Sequence, residues 1–344
     1  MMSAQKEQQL AAALARLPRV KLASVLPTPL EELPRFGAAI GGPPVYIKRD
    51  DLTGLGYGGN KTRMLEFSLA DALRHDADVI VTGAGVQSNY CRQMAAACAR
   101  LGLELHLLLR PIREVDHHQV QGNHLLQRLF GAKCTILPDG DPGKQGQAIL
   151  ARMDELRKQG RRPYWPRQAD TVDIDALAYA ESALEVVQQS RAQGISPSHL
   201  YLAALDTTQS GVVLGLKFVE SPIQVRGFSP FEKWPQRFEN MARIANQGAA
   251  RLGLKIEFKA GDFDNEDNQV GERYGIPTPQ GLEALRLLAR TEGIFLDPVY
   301  TSKAVAGLIA DVRAGKLAKD RPVVFMHTGG SPAIFGYAAE VLGA

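Results

Sequence analysis

Short β-rich runs alternate with helix-length runs along almost the whole chain, and this alternation leaves few architectures open. VYIKRD (45–50), DVIVTG (78–83), ELHLLLR (104–110) and KCTILP (133–138) are short and rich in strand formers. Between them, 62–76 places Leu65, Leu69 and Leu73 four residues apart, a helical spacing. The run 91–102 is a second helix, with Gly102 as its stop. In the second half, LYLAAL (200–205), VRGFS (225–229), LKIEFK (254–259) and VVFMHT (323–328) read as strands. Helices are expected over 176–193, 211–220, 234–252, 279–292 and 301–315. The pattern predicts an α/β protein with parallel sheets covered by helices on both faces. At 344 residues the chain is long for one core and suits about two domains. No low-complexity linker separates them, so the domains are expected to exchange segments.

Composition narrows the function classes. The net charge is +3 without a dense Lys/Arg block, so neither nucleic acid nor a membrane surface is an expected partner. No run reaches the ~18 apolar residues of a membrane span. Charges interrupt the first twenty residues, which do not read as a secretory signal, and the expected location is cytoplasmic. Three cysteines, Cys91, Cys98 and Cys134, are too few and too odd in number for a disulfide framework. Cys91 and Cys98 lie seven apart on the second helix and are expected to pack as small hydrophobes. His117 and His118 read as a solvated loop, and no metal is expected.

Four segments can carry chemistry. In IKRDDLTGLGYGGNKTRMLEF (47–67), a strand and a Gly-rich turn lead to Asn60 and Lys61 at a helix start. A lysine beside a positive helix end has a lowered pKa and a free amine for Schiff-base chemistry. A surface lysine after a flexible loop fits the same spacing. In TGAGVQSNYCRQMAAACARLG (82–102), Gln87, Ser88 and Asn89 open an Ala-rich helix, which makes an anion site or merely a helix cap. In 272–309, Tyr274 lies in a Gly/Pro-rich loop and Tyr300 at the mouth of a helix. Half-buried packing is the plainer reading of both. In HTGGSPAIFGY (327–337), Thr328, Gly329 and Gly330 follow a strand, where a backbone must approach something closely.

GGNKTR, QSN, YGIPT, DPVY and HTGG in this order resemble the D-cysteine desulfhydrase and 1-aminocyclopropane-1-carboxylate deaminase family. These are pyridoxal 5′-phosphate (PLP) enzymes of the type II, tryptophan-synthase-β fold. The resemblance runs from about Leu26 to Leu342. It implies two open, mostly parallel twisted sheets, with residues 1–60 and 168–344 forming a larger cofactor-binding domain, 61–167 a smaller one, and the cofactor in the cleft. It also implies a homodimer. By the same resemblance, Lys61 is the Schiff-base lysine and moves protons once substrate displaces it. Asn60 and Asn89 lie near the cofactor ring, and Thr328 and Gly329 near its nitrogen face. Gln87, Ser88, Asn89 and Tyr90 face the substrate, Ser88 holding its carboxylate. Tyr274 and Tyr300 match two active-site tyrosines of the deaminases.

Two stretches depart from the family pattern. Relatives carry a glycine-rich phosphate cradle, roughly TGSGGTQAG, where this chain reads ALDTTQSGVVLG. Asp206 and Thr207 replace glycines, and an aspartate repels a dianion. The hydroxyls of Thr207, Thr208 and Ser210, with Gln209 and Gly211, remain to hold the phosphate. Relatives also read roughly IPVGGSNPLGALGY where this chain has WPRQADTVDIDALAY (165–179), which introduces Arg167, Asp170, Asp173 and Asp175. Arg167 fits either a second acidic group on the substrate or an ion pair with these aspartates. Thr301 stands where the deaminases carry a glutamate partner of the pyridine nitrogen. Threonine supplies no counter-charge, which favours β-elimination of a small amino acid, giving a keto acid and ammonia, over cyclopropane opening. Ring-opening deamination, a weak PLP binder acting as a non-catalytic partner protein, and a plain structural protein are the alternatives.

Overall fold

The computed structural model describes residues 2–232 and 234–343. Its strands are β1 (Leu30–Glu32), β2 (Val45–Lys48), β3 (Val79–Thr82), β4 (Glu104–Leu109), β5 (Lys133–Ile136), β6 (Pro163–Tyr164), β7 (His199–Ala203), β8 (Gln224–Phe228), β9 (Asp264–Glu266) and β10 (Val323–Met326). Its helices are α1 (Met2–Ala15), α2 (Pro34–Ile40), α3 (Lys61–Arg74), α4 (Asn89–Leu101), α5 (Gly122–Leu129), α6 (Pro142–Lys158), α7 (Val172–Ala192), α8 (Thr207–Phe218), α9 (Arg237–Leu252), α10 (Pro279–Glu292), α11 (Thr301–Arg313) and α12 (Ala338–Leu342).

Two sheets result. One has the order β1-β2-β10-β7-β8-β9, the other β5-β4-β3-β6. Only the β1–β2 pair is antiparallel among the described strands. Alternate residues of a strand face opposite ways, and the burial follows this period. Val45, Ile47, Tyr201, Val323 and Phe325 pack with Leu285, Leu288, Ala304 and Leu308 of α10 and α11. Their neighbours Leu200, Leu202, Val324 and Met326 pack on the other face with residues of α7 and α8 such as Tyr179, Ala183 and Val212. In the four-stranded sheet, Val79, Val81 and Leu108 meet α6, while Ile80, Leu105 and Leu107 meet Cys91, Met94 and Cys98 of α4. Cys91 and Cys98 are thus the small core residues that the sequence predicts.

The expected strand at 254–259 does not form. Its alternation is genuine, because Leu254 and Phe258 are buried, but no ladder satisfies its backbone. Instead the Asn246 side chain on α9 accepts from Phe258 N at 2.9 Å and donates to Phe258 O at 2.9 Å. The sheet edge goes to β9, whose sequence DNE carries no strand signal. Arg226 on β8 holds it through Asp264 at 2.6 Å and Glu266 at 2.8 Å.

A buried ionic cluster seats α3. Arg63, Asp50 and Lys48 are each fully buried. Arg63 Nη2 lies 3.0 Å from Asp50 and 2.6 Å from Glu185 on α7, and Lys48 Nζ lies 2.6 Å from the same glutamate. Burial opposes the charge on Asp50, yet Arg63 and Lys48 hold its pKa below the ordinary value. Removing one member of such a cluster strands the others in a dry interior. The cluster therefore locks the first turn of α3 against β2 and α7.

Candidate active site

The carboxyl ends of β3, β4, β6, β7 and β10 surround one cavity of about 330 Å³, where open parallel sheets ordinarily bind ligands. Lys61, the first residue of α3, stands on its wall, with Nζ 3.4 Å from the Tyr179 hydroxyl. Its pKa falls to about 8, first through burial and then through the Arg167 guanidinium. The lowered pKa matches the sequence argument, but the causes differ: the environment is dry and carries a neighbouring cation.

Asn60, Ser88, Asn89, Tyr90, Thr207, Thr208, Tyr274, Tyr300, Thr328 and Gly329 share that wall with Lys61. Asn60 N donates to Thr328 O at 3.0 Å, tying the loop after β10 to the start of α3. Gly329 has φ +93, and a Cβ there would lie 2.7 Å from the Gly59 Cα, so only glycine allows the contact. Ser88 is the N-cap of α4 and accepts from Cys91 N at 3.2 Å. Tyr274 and Tyr300 join through their hydroxyls at 2.7 Å, and Phe231 stacks on Tyr274 with centroids 3.9 Å apart. Burial pushes both phenols well above their ordinary range.

Five expected site residues point elsewhere. Gln87 accepts from Asn123 N at 2.9 Å and donates to Gln121 O at 3.1 Å, so it pins the start of α5. Gln209 donates to Asp264 O at 2.7 Å and accepts from Asn265 at 2.7 Å, bracing β9. Ser210 donates back to Asp206 O at 3.1 Å. Gly211 lets α8 press on α7: a Cβ there would meet Ala176 O at 2.0 Å. Thr301 is buried, and its hydroxyl donates to Asp297 at 2.7 Å. Thr301 is therefore a helix-start anchor rather than part of the wall, and the substrate argument drawn from it loses its basis.

The two divergent stretches meet. Arg167 lines the cavity and lies 3.2 Å from buried Asp175, so the ion-pair expectation holds. Its Nη2 also donates to the Thr207 hydroxyl at 3.3 Å. Burial lifts Asp175 to about 6 despite Arg167 and Lys61. Asp206 caps α8: Oδ1 accepts from Thr207 N at 2.5 Å and from its hydroxyl at 2.9 Å, and Oδ2 accepts from Asn240 at 3.2 Å. Arg110, Trp165 and Phe231 also line the cavity. Neither Arg110 nor Phe231 is among the residues expected from the motifs, and the one sequence signal each carries is its place just beyond a strand's carboxyl end.

Residues 22–329 match the profile described as "Pyridoxal-phosphate dependent enzyme". The chain is 38% identical over 334 residues to D-cysteine desulfhydrase of Salmonella typhi, covering 95% of this chain and 98% of that protein. The D-cysteine desulfhydrase of Salmonella choleraesuis matches at 38% over the same shares. A solved ACC deaminase homologue superposes with a TM-score of 0.87 at 33% identity, covering 97% of this chain and 98% of that one. Escherichia coli diaminopropionate ammonia lyase shares the fold, with a TM-score of 0.66 at 16% identity over 99% and 91% of the two chains. The chain belongs to the pyridoxal-phosphate-dependent enzymes, and pyridoxal 5′-phosphate is its cofactor.

The donor set fits that group. An amine of lowered pKa lines the cavity. The N-terminus of α8, with the Thr208 hydroxyl and the Arg167 guanidinium, lines the same cavity and can receive an anion.

Proposed function

We propose that this enzyme eliminates a β-substituent from a small amino acid, of the D-cysteine type, and releases a keto acid and ammonia. The observation that carries this reading is the Lys61 amine, depressed to about 8, on one wall with Ser88 and the paired tyrosines. Bound PLP supplies an electron sink that stabilises negative charge at the substrate α-carbon. Lys61 Nζ takes up or gives a proton near neutral pH. The Ser88 hydroxyl and the first N–H groups of α4 bind the substrate carboxylate. Tyr274 and Tyr300 stay neutral, so their joined hydroxyls hold a proton beside the leaving group. Asn60, Asn89, Thr328 and Gly329 would hold the cofactor ring, and Tyr90 would bound the substrate space. The start of α8 and the Thr208 hydroxyl would receive the phosphate.

The test is a visible absorption scan followed by a screen of D-cysteine, L-cysteate, β-chloro-D-alanine and 1-aminocyclopropane-1-carboxylate. A yellow protein that forms pyruvate from D-cysteine is expected, with Lys61→Ala losing both colour and turnover. A colourless protein inert to all four compounds sinks the reading and favours a weakly binding partner protein, for which Asp206 beside the anion site is the support.

The larger domain in this reading comprises 1–60 and 168–344 and the smaller one 61–167. In support, β3 to β6 all fall within 79–164, while α3 bridges to Asp50 and Glu185. A homodimer is also part of the proposal. Exposed Tyr57, Leu125, Leu129 and Phe335 lie on α5 and on turns near it, and light scattering reads the mass. Its three free cysteines suit a reducing cytoplasm. Among the described residues no helix is long and apolar enough to cross a membrane.

A further inference from the structure

The α8 end of the cavity is poor in donors and rich in negative charge. Asp206 takes both the N–H and the hydroxyl proton of Thr207. Asp175 adds a second carboxylate close enough to shift Lys61. A phosphate arriving at the helix N-terminus would meet two acidic groups, and like charges at such range cost several-fold to many-fold in affinity. Besides the Lys61 ammonium, one cation offsets them. Arg167 reaches this end from the stretch after β6, with Nε toward Asp175 at 3.2 Å and Nη2 on the Thr207 hydroxyl at 3.3 Å. No protein hydrogen bond to Nη1 is found among the described residues, and the side chain keeps 27% exposure on the cavity wall. Its backbone has φ +68, a left-handed conformation that an arginine adopts only when its surroundings impose it. The Tyr90 ring centroid lies 5.2 Å from the guanidinium carbon and limits its swing toward the substrate side. Arg110, the other arginine on the wall, acts on Tyr274 and is tied to Gly140 O at 3.2 Å.

We propose that Arg167 is the phosphate-binding side chain of this cavity, its fork aimed at the cofactor phosphate by Asp175 and by the Thr207 hydroxyl. A guanidinium presents planar paired donors that match phosphate oxygens, and it replaces with one side chain what a run of backbone N–H groups does elsewhere. This assignment rests on PLP occupying the cavity.

The experiment compares PLP with pyridoxal, which lacks the phosphate. Full-length apoprotein is titrated with each while the fluorescence of Trp165, on the cavity wall, is followed. Wild type is expected to prefer PLP strongly. Arg167→Ala should cut that preference about tenfold to hundredfold, the worth of a charge-assisted hydrogen bond, while pyridoxal affinity, which feels only the change at Lys61, falls less. Arg167→Gln, of similar size, should lose the preference while keeping the wild-type melting temperature, which separates binding from folding. Arg167→Lys should recover part of it. An unchanged preference for PLP in Arg167→Gln overturns the assignment and leaves the arginine for substrate. Failure of wild type to bind either compound overturns the cofactor site itself.

Discussion

The Lys61 amine is expected to react at neutral pH as few lysines do. With its pKa near 8, about one Lys61 in eleven is unprotonated at pH 7, against roughly one in three thousand for a free lysine at 10.5. Burial is the larger cause, and Arg167 adds to it. Apoprotein is treated with a limiting dose of acetic anhydride at a series of pH values, and the labelled Lys61 peptide is quantified by mass spectrometry. Its labelling should rise with pH through a midpoint near 8. Arg167→Gln should move that midpoint upward but not to 10.5, because the dry setting remains. The unfolded chain binds more protons here than the folded one between about 8 and 10.5, so this group's contribution to folded-state stability grows as pH rises across that window. A wild-type midpoint at 10 or above refutes the reasoning, since neither burial nor the guanidinium would then be felt at Nζ.

Asp206→Asn keeps a capping oxygen for Thr207 N but removes the charge, so PLP affinity measured by titration should tighten about fivefold or more with little change in melting temperature. An unchanged affinity would mean that the carboxylate is already neutralised where the phosphate binds. Asp50→Ala leaves fully buried Arg63 with fewer partners and should cost about 3 kcal/mol or more in urea denaturation. A loss under 1 kcal/mol would mean that Glu185 alone suffices.

Much of the site was legible because its residues sit at strand–turn–helix junctions with strong local signals. Lys61 after the glycine turn, Ser88 at a helix start and Thr328 after β10 all reach the wall. Residues one step further into a helix did not follow, since each step turns the side chain about 100°. Thr301 and Gln209 are close sequence neighbours of Tyr300 and Thr208, yet they face packing. Alternation at 254–259 reported burial correctly and pairing wrongly, because period two does not say what satisfies the backbone. Helix α6 escaped notice although Asp141, Pro142 and the spacing of Ile149, Met153 and Leu156 mark its cap and buried face. The ion pair of Arg167 was open to the sequence, but the choice of Asp175 among three aspartates needed the fold, since Asp173 turns instead to Arg251 on α9.

The chain of contacts from Arg167 through the Thr207 hydroxyl to Asp206 joins the loop after β6 to the start of α8. That linkage couples the three side chains, so a substitution at one changes what the others can do. Without Arg167, Asp206 would leave the helix mouth hostile to an anion. Without Asp175, Arg167 would lose its ion-pair partner in a largely dry setting. The group therefore behaves as one unit, and single substitutions within it should not act additively.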